Sequence, residues 1–138
     1  MDALFSLGYD GVNFGNTSTN YAEARMNIHD KEQKLFDYFT TTYGGGVSGK
    51  PLQEKSLRLA TAAVKYLRQG PPAQEFHVIR AGGISSVEDL IASDAAGVSL
   101  NQWFTGYFEN FAKEGHDVYR SLMKEYHREK KIQLQFLR

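Results

Sequence analysis

The amino-acid sequence predicts an α/β fold in which parallel strands alternate with helices. Three observations lead there. Short β-rich runs alternate along the chain with longer segments whose apolar residues recur at helical spacing. The order of elements reads β, α, loop, α, β, α, β, α, the pattern of consecutive βα units on a parallel sheet. The chain has 138 residues. A closed (β/α)8 barrel takes about 250, so three strands and this length amount to part of such a barrel. No repeat appears at a solenoid period, and no segment is of low complexity.

The elements follow in order. Asp10 to Gly15 reads as a short strand, with Asn16-Thr17-Ser18 at its end. A charged helix is expected over about 22–39, where Leu35 and Phe39 lie one turn apart. Thr40 to Lys50 is a glycine-rich loop. Leu52, Leu59, Ala63, Val64 and Leu67 form a near-continuous apolar stripe, so 52–67 is a helix; Pro51 suits its first turn and Gly70-Pro71-Pro72 ends it. Phe76 to Arg80 is a second strand, running into Ala81-Gly82-Gly83. Ser85 and Glu88 have capping-box spacing and predict a helix reaching about Ala95. Gly97 to Trp103 is a third strand, followed by Thr105-Gly106. A last helix is expected from Asp117 to about Lys130, with Val118, Leu122 and Tyr126 aligned. The alternating tail Ile132 to Phe136 reads as a short strand or extended coil, within a helix-and-tail region of about 117–138.

Composition narrows the function classes. Lys+Arg and Asp+Glu are both 16, so the net charge is zero and nothing favours nucleic acid over a small-molecule partner. There is no cysteine, which excludes disulfides, thiolate metal sites and a cysteine nucleophile. No apolar run approaches the ~18 residues of a membrane span. Met1 to Leu7 lacks the basic start of a signal peptide.

Chemistry in a β/α barrel sits where strands end. Here the strand ends carry Asn16-Thr17-Ser18, Gly82-Gly83 and Phe104-Thr105-Gly106, and the Gly44 to Gly49 loop lies between the first two. Glycines allow backbone N–H groups to approach an anion, and helix N-termini add partial positive charge. The pattern therefore reads as a phosphate cradle. Asn16 and Thr17 offer donors and acceptors for a planar heterocycle or carboxylate.

Plainer readings stand beside these. Gly44 to Lys50 fits the first seven positions of a Walker A loop, but Pro51 occupies the place of the Mg²⁺-binding hydroxyl. His29, His77, His116 and His127 show no metal-ligand spacing, and His77 reads as a packing or surface residue. Glu88 and Asp89 fit first-turn charges on a helix dipole better than an acid/base pair. Trp103, Phe104, Tyr107, Phe108 and Phe111 fit core or interface packing better than a ligand platform.

Asn16-Thr17-Ser18, Gly45 to Leu52, Ala81-Gly82-Gly83-Ile84 and Gln102 to Gly106 together resemble the C-terminal half of dihydroorotate dehydrogenases. The order and spacing are similar, and the resemblance covers most of residues 8–126. It is nearest to the quinone-linked class 2 pattern of Asn-Thr-Thr, Gly-Gly-Leu-Ser-Gly-Arg-Pro-Leu and Gly-Gly-Ile. The resemblance implies the C-terminal portion of a TIM barrel, built from its last three βα units. It implies FMN as cofactor, and oxidation of dihydroorotate to orotate in pyrimidine biosynthesis, with hydride passing to the flavin while a base removes a proton. Carried over by position, Asn16 and Thr17 match orotate-binding residues and Gly49 a glycine beside the flavin. Gly82 and Gly83 match donors to the FMN phosphate, and Phe104, Thr105 and Gly106 the last phosphate-binding strand end.

Two departures stand out. Gly15 occupies a position where the family usually has Thr, and the Asn16-to-Gly45 connection is longer than the family's. The family's catalytic base and flavin-contacting lysine belong to the other half of the barrel, so no catalytic residue is matched and the chain is expected to be inactive alone. A partial parallel sheet leaves edges open to pairing. The expected partners are therefore an N-terminal half-barrel chain, a second copy of this chain, or other subunits of an assembly. The alternative is a non-catalytic relative that serves as a structural or binding subunit and has lost FMN. By resemblance its place is mitochondrial or bacterial inner-membrane-associated, reached without a span of its own, and otherwise cytoplasmic.

Overall fold

A computed structural model describes residues 1–136; the last two residues of the predicted tail, Leu137 and Arg138, lie outside it. Three parallel strands form one sheet in the order β1 (Gly11–Phe14), β2 (His77–Ala81), β3 (Leu100–Gln102). Val12 pairs with Val78 and Phe14 with Arg80, while Arg80 pairs with Asn101 on the other side. Spatial order follows chain order, and each crossover carries helices, as successive βα units require. The architecture is a segment of a β/α barrel wall, as the alternation predicted.

Side-chain alternation on β2 decides which face is which. Val78 and Arg80 point to the helix layer and are fully buried, so His77, Ile79 and Ala81 take the opposite, barrel-interior face. Helix α4 (Gln53–Gln69) packs on the outer face through Ser56, Ala60, Ala63 and Val64. That i, i+4, i+7, i+8 spacing is one helical stripe. Small residues let the helix sit close, and with Val78 and Val98 they form the core against which Phe14 and Leu67 pack. Burying a valine of this kind contributes about 1.5–3 kcal/mol. Leu59, assigned to the stripe from sequence, instead faces outward and is exposed. A 3-10 turn, Lys50–Leu52, with Pro51 inside it, leads into α4.

Helix α5 (Val87–Ala96) begins with a complete capping box, but one residue later than the spacing suggested. Ser86, not Ser85, is the N-cap, and Asp89, not Glu88, reaches back to it. The reason is burial. Asp89 turns inward toward Arg80 and accepts from the N–H groups of both Ser85 (2.9 Å) and Ser86 (3.2 Å), which Glu88 on the solvent side does not. Gly97 ends α5 in the left-handed conformation, with its N–H bonded to Asp94.

Elsewhere the structure departs from the sequence reading. A short helix, α1 (Asp2–Ser6), precedes β1 and is tied to α4 by the Tyr66 hydroxyl on Asp2 (2.6 Å). The single helix expected over about 22–39 is two, α2 (Tyr21–Arg25) and α3 (Asp30–Thr42). Asn20 caps the first and the His29 ring caps the second by accepting from Lys31 N–H, so the chain restarts a helix at His29 instead of continuing one. Arg25 grips Asp37 with two bonds of 2.7 and 2.9 Å and folds α2 back on α3. Helix α6 (Thr105–Glu114) follows β3 directly and has no counterpart in the sequence reading. Helix α7 (Val118–Phe136) carries on through Ile132 to Phe136, where a strand or coil was expected. That stretch alternates, but it also continues the period of Val118, Leu122 and Tyr126, and the helical reading wins.

Candidate functional site

An open cavity of about 510 Å³ lies at the C-terminal ends of the three strands. That size suits a small organic ligand. All the residues picked out from sequence line it: Asn16 and Thr17 after β1, Gly49 in the loop before α4, Gly82 and Gly83 after β2, and Phe104, Thr105 and Gly106 after β3. Four segments that are far apart in sequence meet here because each follows, or is held against, a strand end.

Close backbone approaches bring them together. Ser18 and Val47 form an antiparallel bridge, with N···O distances of 3.0 and 2.9 Å, that lays the glycine loop across the end of β1. The bridge requires Gly46, since a Cβ there would stand 2.1 Å from the Thr17 hydroxyl oxygen. The far end of the loop is fastened by Ser48, whose hydroxyl lies 2.9 Å from that of Thr105. After β2 the chain turns sharply at Gly82-Gly83, and Gly83 has φ +75 and sits on the start of α4. A side chain at Gly83 would run into the Gln53 backbone at 2.4 Å, not into the cavity. At α6 a Cβ on Gly106 would stand 2.3 Å from the Ile84 carbonyl, so this glycine lets the helix start lie against the Gly82–Ile84 turn.

The electrostatics of the cavity come from backbone, not charge. No lining residue carries a charged side chain. The two nearby helix starts differ. That of α5 is closed by its own capping box. That of α6 has Phe104 at the N-cap and no side-chain acceptor for its first N–H groups. Uncapped N–H groups with the helix dipole behind them attract an anion. Among the described residues, the Gly82 and Gly83 N–H groups also meet no protein acceptor. The arrangement can hold an anionic group at the β2/β3 end.

Toward β1 the wall is amide-lined. Asn13 donates to Gln102 across β2 at 2.6 Å, leaving the outer atoms of both amides for a ligand. Both residues line the cavity; Gln102 belongs to the Gln102 to Gly106 motif, but sequence alone gives neither a site role. The signal available was their polarity at interior-facing strand positions, which needs the strand register to interpret. The wall contains no side chain that titrates near neutral pH, so it offers hydrogen bonds but no acid or base.

Among the described residues there is no cluster able to hold a metal ion. Lys50 does not line the cavity, and the Gly44–Lys50 loop follows helix α3 instead of a strand, unlike a Walker A loop. The aromatic run is not the packed core the sequence suggests: Trp103 and Phe104 line the cavity and Phe104 and Phe108 are exposed, while Trp103 lies edge-on to Tyr107 and Tyr119 and Tyr107 stacks on Phe111. His77 is half exposed beside Glu75.

The family model described as dihydroorotate dehydrogenase matches residues 1–127. The chain belongs to the dihydroorotate dehydrogenase family. Relatives named dihydroorotate dehydrogenase (quinone) agree. That of Idiomarina loihiensis is 43% identical over 79 residues, covering 57% of this chain and 21% of the relative. That of Thermosynechococcus vestitus is 29% identical over 110 residues, covering 80% and 28%. That of Halobacterium salinarum is 30% identical over 99 residues, covering 72% and 23%. The chain thus spans about a quarter of the length of the curated relatives it matches. Fold and family are consistent: the sheet and its helices are the C-terminal portion of a dihydroorotate dehydrogenase barrel. No helix among the described residues is long and apolar enough to cross a membrane.

Gly15, where the family usually has Thr, has a structural cause. A Cβ at this position would stand 1.9 Å from the Ala81 carbonyl oxygen. The ends of β1 and β2 are drawn together here, and no larger side chain fits between them.

Proposed function

We propose that this chain supplies the FMN-phosphate and orotate-recognising side of a quinone-linked dihydroorotate dehydrogenase. One observation carries the reading: three strand ends and the glycine loop converge on one uncharged cavity beside a helix start that has no side-chain cap among the described residues. The residues fit the cofactor. The N–H groups of Gly82, Gly83 and the first turn of α6 hold the phosphate, with the Thr105 hydroxyl beside them. Gly49, whose missing Cβ lets the loop lie against Thr105, keeps the loop in the wall beside the ring. Asn16 and Thr17, with the Asn13–Gln102 amide pair behind them, orient a planar ring bearing a carboxylate. When bound, FMN would supply the hydride acceptor for oxidation of dihydroorotate to orotate, the proton leaving to a separate base.

The chain's own part in that reaction is orientation and exclusion of water. Proton removal needs a base that the cavity wall lacks, so it falls to the remainder of the barrel. The remainder comes from an N-terminal half-barrel, from a second copy of this chain, or from other subunits, any of which pairs with the outer edges of β1 and β3. The quinone in the names of the relatives implies an acceptor dissolved in a membrane, hence a place at a membrane surface. The tight Gly15 approach favours a second reading: a structural subunit in which the ring site has narrowed and flavin is lost.

The absorbance spectrum of the protein isolated from its source separates the two. Stoichiometric flavin supports the first reading, and a colourless protein bound to other subunits sinks it. Thr105→Asp locates the anion. An acid in the first turn of α6 favours the helix and repels phosphate, so FMN affinity should fall further than in Thr105→Val, which breaks the Ser48 contact without adding a charge. Unchanged affinity places the phosphate elsewhere.

A further inference from the structure

Beneath the cavity floor lies a buried polar cluster that the family resemblance does not call on. Arg80 is fully buried on the helix side of β2. Its Nε–H donates to the Ser56 hydroxyl (3.0 Å), one terminal nitrogen donates to the Ser93 hydroxyl (2.8 Å) and the Asp89 carbonyl (3.2 Å), and the other donates to the Gln53 carbonyl (3.0 Å). The Asp89 carboxylate lies 3.9 Å from the guanidinium and is itself held by the Ser85 and Ser86 N–H groups and by Gln53. Burial pushes the Arg80 guanidinium below its ordinary value and the Asp89 charge opposes that; an arginine still remains a cation throughout.

The polarity of this cluster has a direction. Arginine only donates. Ser56 accepts from it and must place its single hydroxyl hydrogen elsewhere. Two carbonyls are in reach, Gln53 at 3.1 Å and Gly82 at 2.6 Å. The Gly82 contact is the shorter, and the Gln53 carbonyl already receives Arg80, so the hydrogen goes to Gly82. The Gly82 carbonyl and the Gly83 N–H belong to one trans peptide, in which they point in opposite directions. Fixing the carbonyl toward α4 therefore turns the Gly83 N–H away from α4, to the side on which both glycines line the cavity.

We infer that Ser56 and Arg80 are positioning residues that lock the Gly82–Gly83 peptide with its donor facing the bound phosphate. The lock matters because glycine flanks both sides of this peptide. With φ +105 and +75, neither residue has a side chain to resist a peptide flip. Flipped, the turn would offer phosphate a carbonyl oxygen instead of an N–H. The inference rests on the proposed phosphate site and adds a means of holding it.

The test compares two serines that both bond Arg80. Ser56→Ala removes the link to Gly82. Ser93→Ala removes a hydroxyl of the same size on the far side of the guanidinium. FMN and riboflavin, which differ by the phosphate, are titrated against the full chain by fluorescence quenching. Ser56→Ala should weaken FMN at least tenfold and change riboflavin less than twofold, while Ser93→Ala changes the FMN-to-riboflavin ratio less than twofold. A ratio unchanged in Ser56→Ala, or lowered equally in Ser93→Ala, overturns the inference. Residual dipolar couplings of the Gly83 N–H read the peptide orientation with no ligand present. They should show one orientation in the wild type and averaging in Ser56→Ala; equal couplings refute the lock. If the wild type does not distinguish FMN from riboflavin, the flavin reading fails and the couplings alone decide the lock.

Discussion

Replacing Gly106 with alanine sets two known effects against each other. Gly106 is the second residue of α6 and is buried. Propensity alone says that alanine should stabilise a helix by about 0.5–1 kcal/mol over glycine. Packing says the reverse. The new Cβ would stand 2.3 Å from the Ile84 carbonyl oxygen and 2.8 Å from the Ser85 Cα. Ordinary carbon contacts lie at about 3.5 Å, so α6 or the turn must retreat by roughly 1 Å. Neither obstacle is the free end of a side chain. Overpacking of this kind costs about 1–3 kcal/mol, which outweighs propensity and leaves a net loss of about 1–2 kcal/mol. Urea denaturation of the two proteins at equal m measures it. The same shift pulls the α6 N-terminus off the cavity, so anion affinity should fall too. Gly70→Ala is the control: its added Cβ meets nothing within 4 Å and its φ is −149, so its stability should stay within about 0.5 kcal/mol. A Gly106→Ala protein as stable as the wild type refutes the packing argument, and with it the account of how α6 reaches the turn.

Further expectations follow from single contacts. Ser86→Ala should cost about 1 kcal/mol by thermal melting while Ser85→Ala costs less than about 0.5, because only Ser86 caps α5; the reverse order would restore the cap one residue earlier. Arg80→Met should lose about 3–5 kcal/mol in denaturant titration, since it strands the buried Asp89 carboxylate without its cation; a neutral result would mean that Asp89 is satisfied by backbone alone. The hydrogen bond from Arg25 holds the Asp37 carboxyl below its ordinary value. A depressed carboxyl stabilises above its unfolded value, and that contribution is lost as pH falls through the folded value. Acidification should therefore release α3 from α2, seen as loss of the Arg25 Nε–H resonance, and Asp37→Asn should abolish the dependence.

Much of this was legible in the sequence, and the limits have physical causes. The strands after Asp10 and Phe76 announced themselves because glycine and β-branched residues bound them. The convergence of these segments on one cavity was legible because the strand ends of a parallel sheet face one mouth, so four small-residue segments had one place to meet. The capping box was misread by one residue because Ser85-Ser86 and Glu88-Asp89 offer two equal spacings in sequence. Only the buried Arg80 decides between them. The break between α2 and α3 was hidden because His29 is not a usual cap, and α6 because its aromatic run reads as core packing. Asn13 and Gln102 needed the register of three strands before their amides could be seen to touch.

The cavity wall runs from Asn13 to Gly106, and so spans most of the chain. Whatever fills it acts as a clamp across the whole molecule. A ligand at a hundred times its dissociation constant adds about 2.7 kcal/mol to the folded state. The folded population would then follow the supply of that ligand, whether or not any turnover takes place.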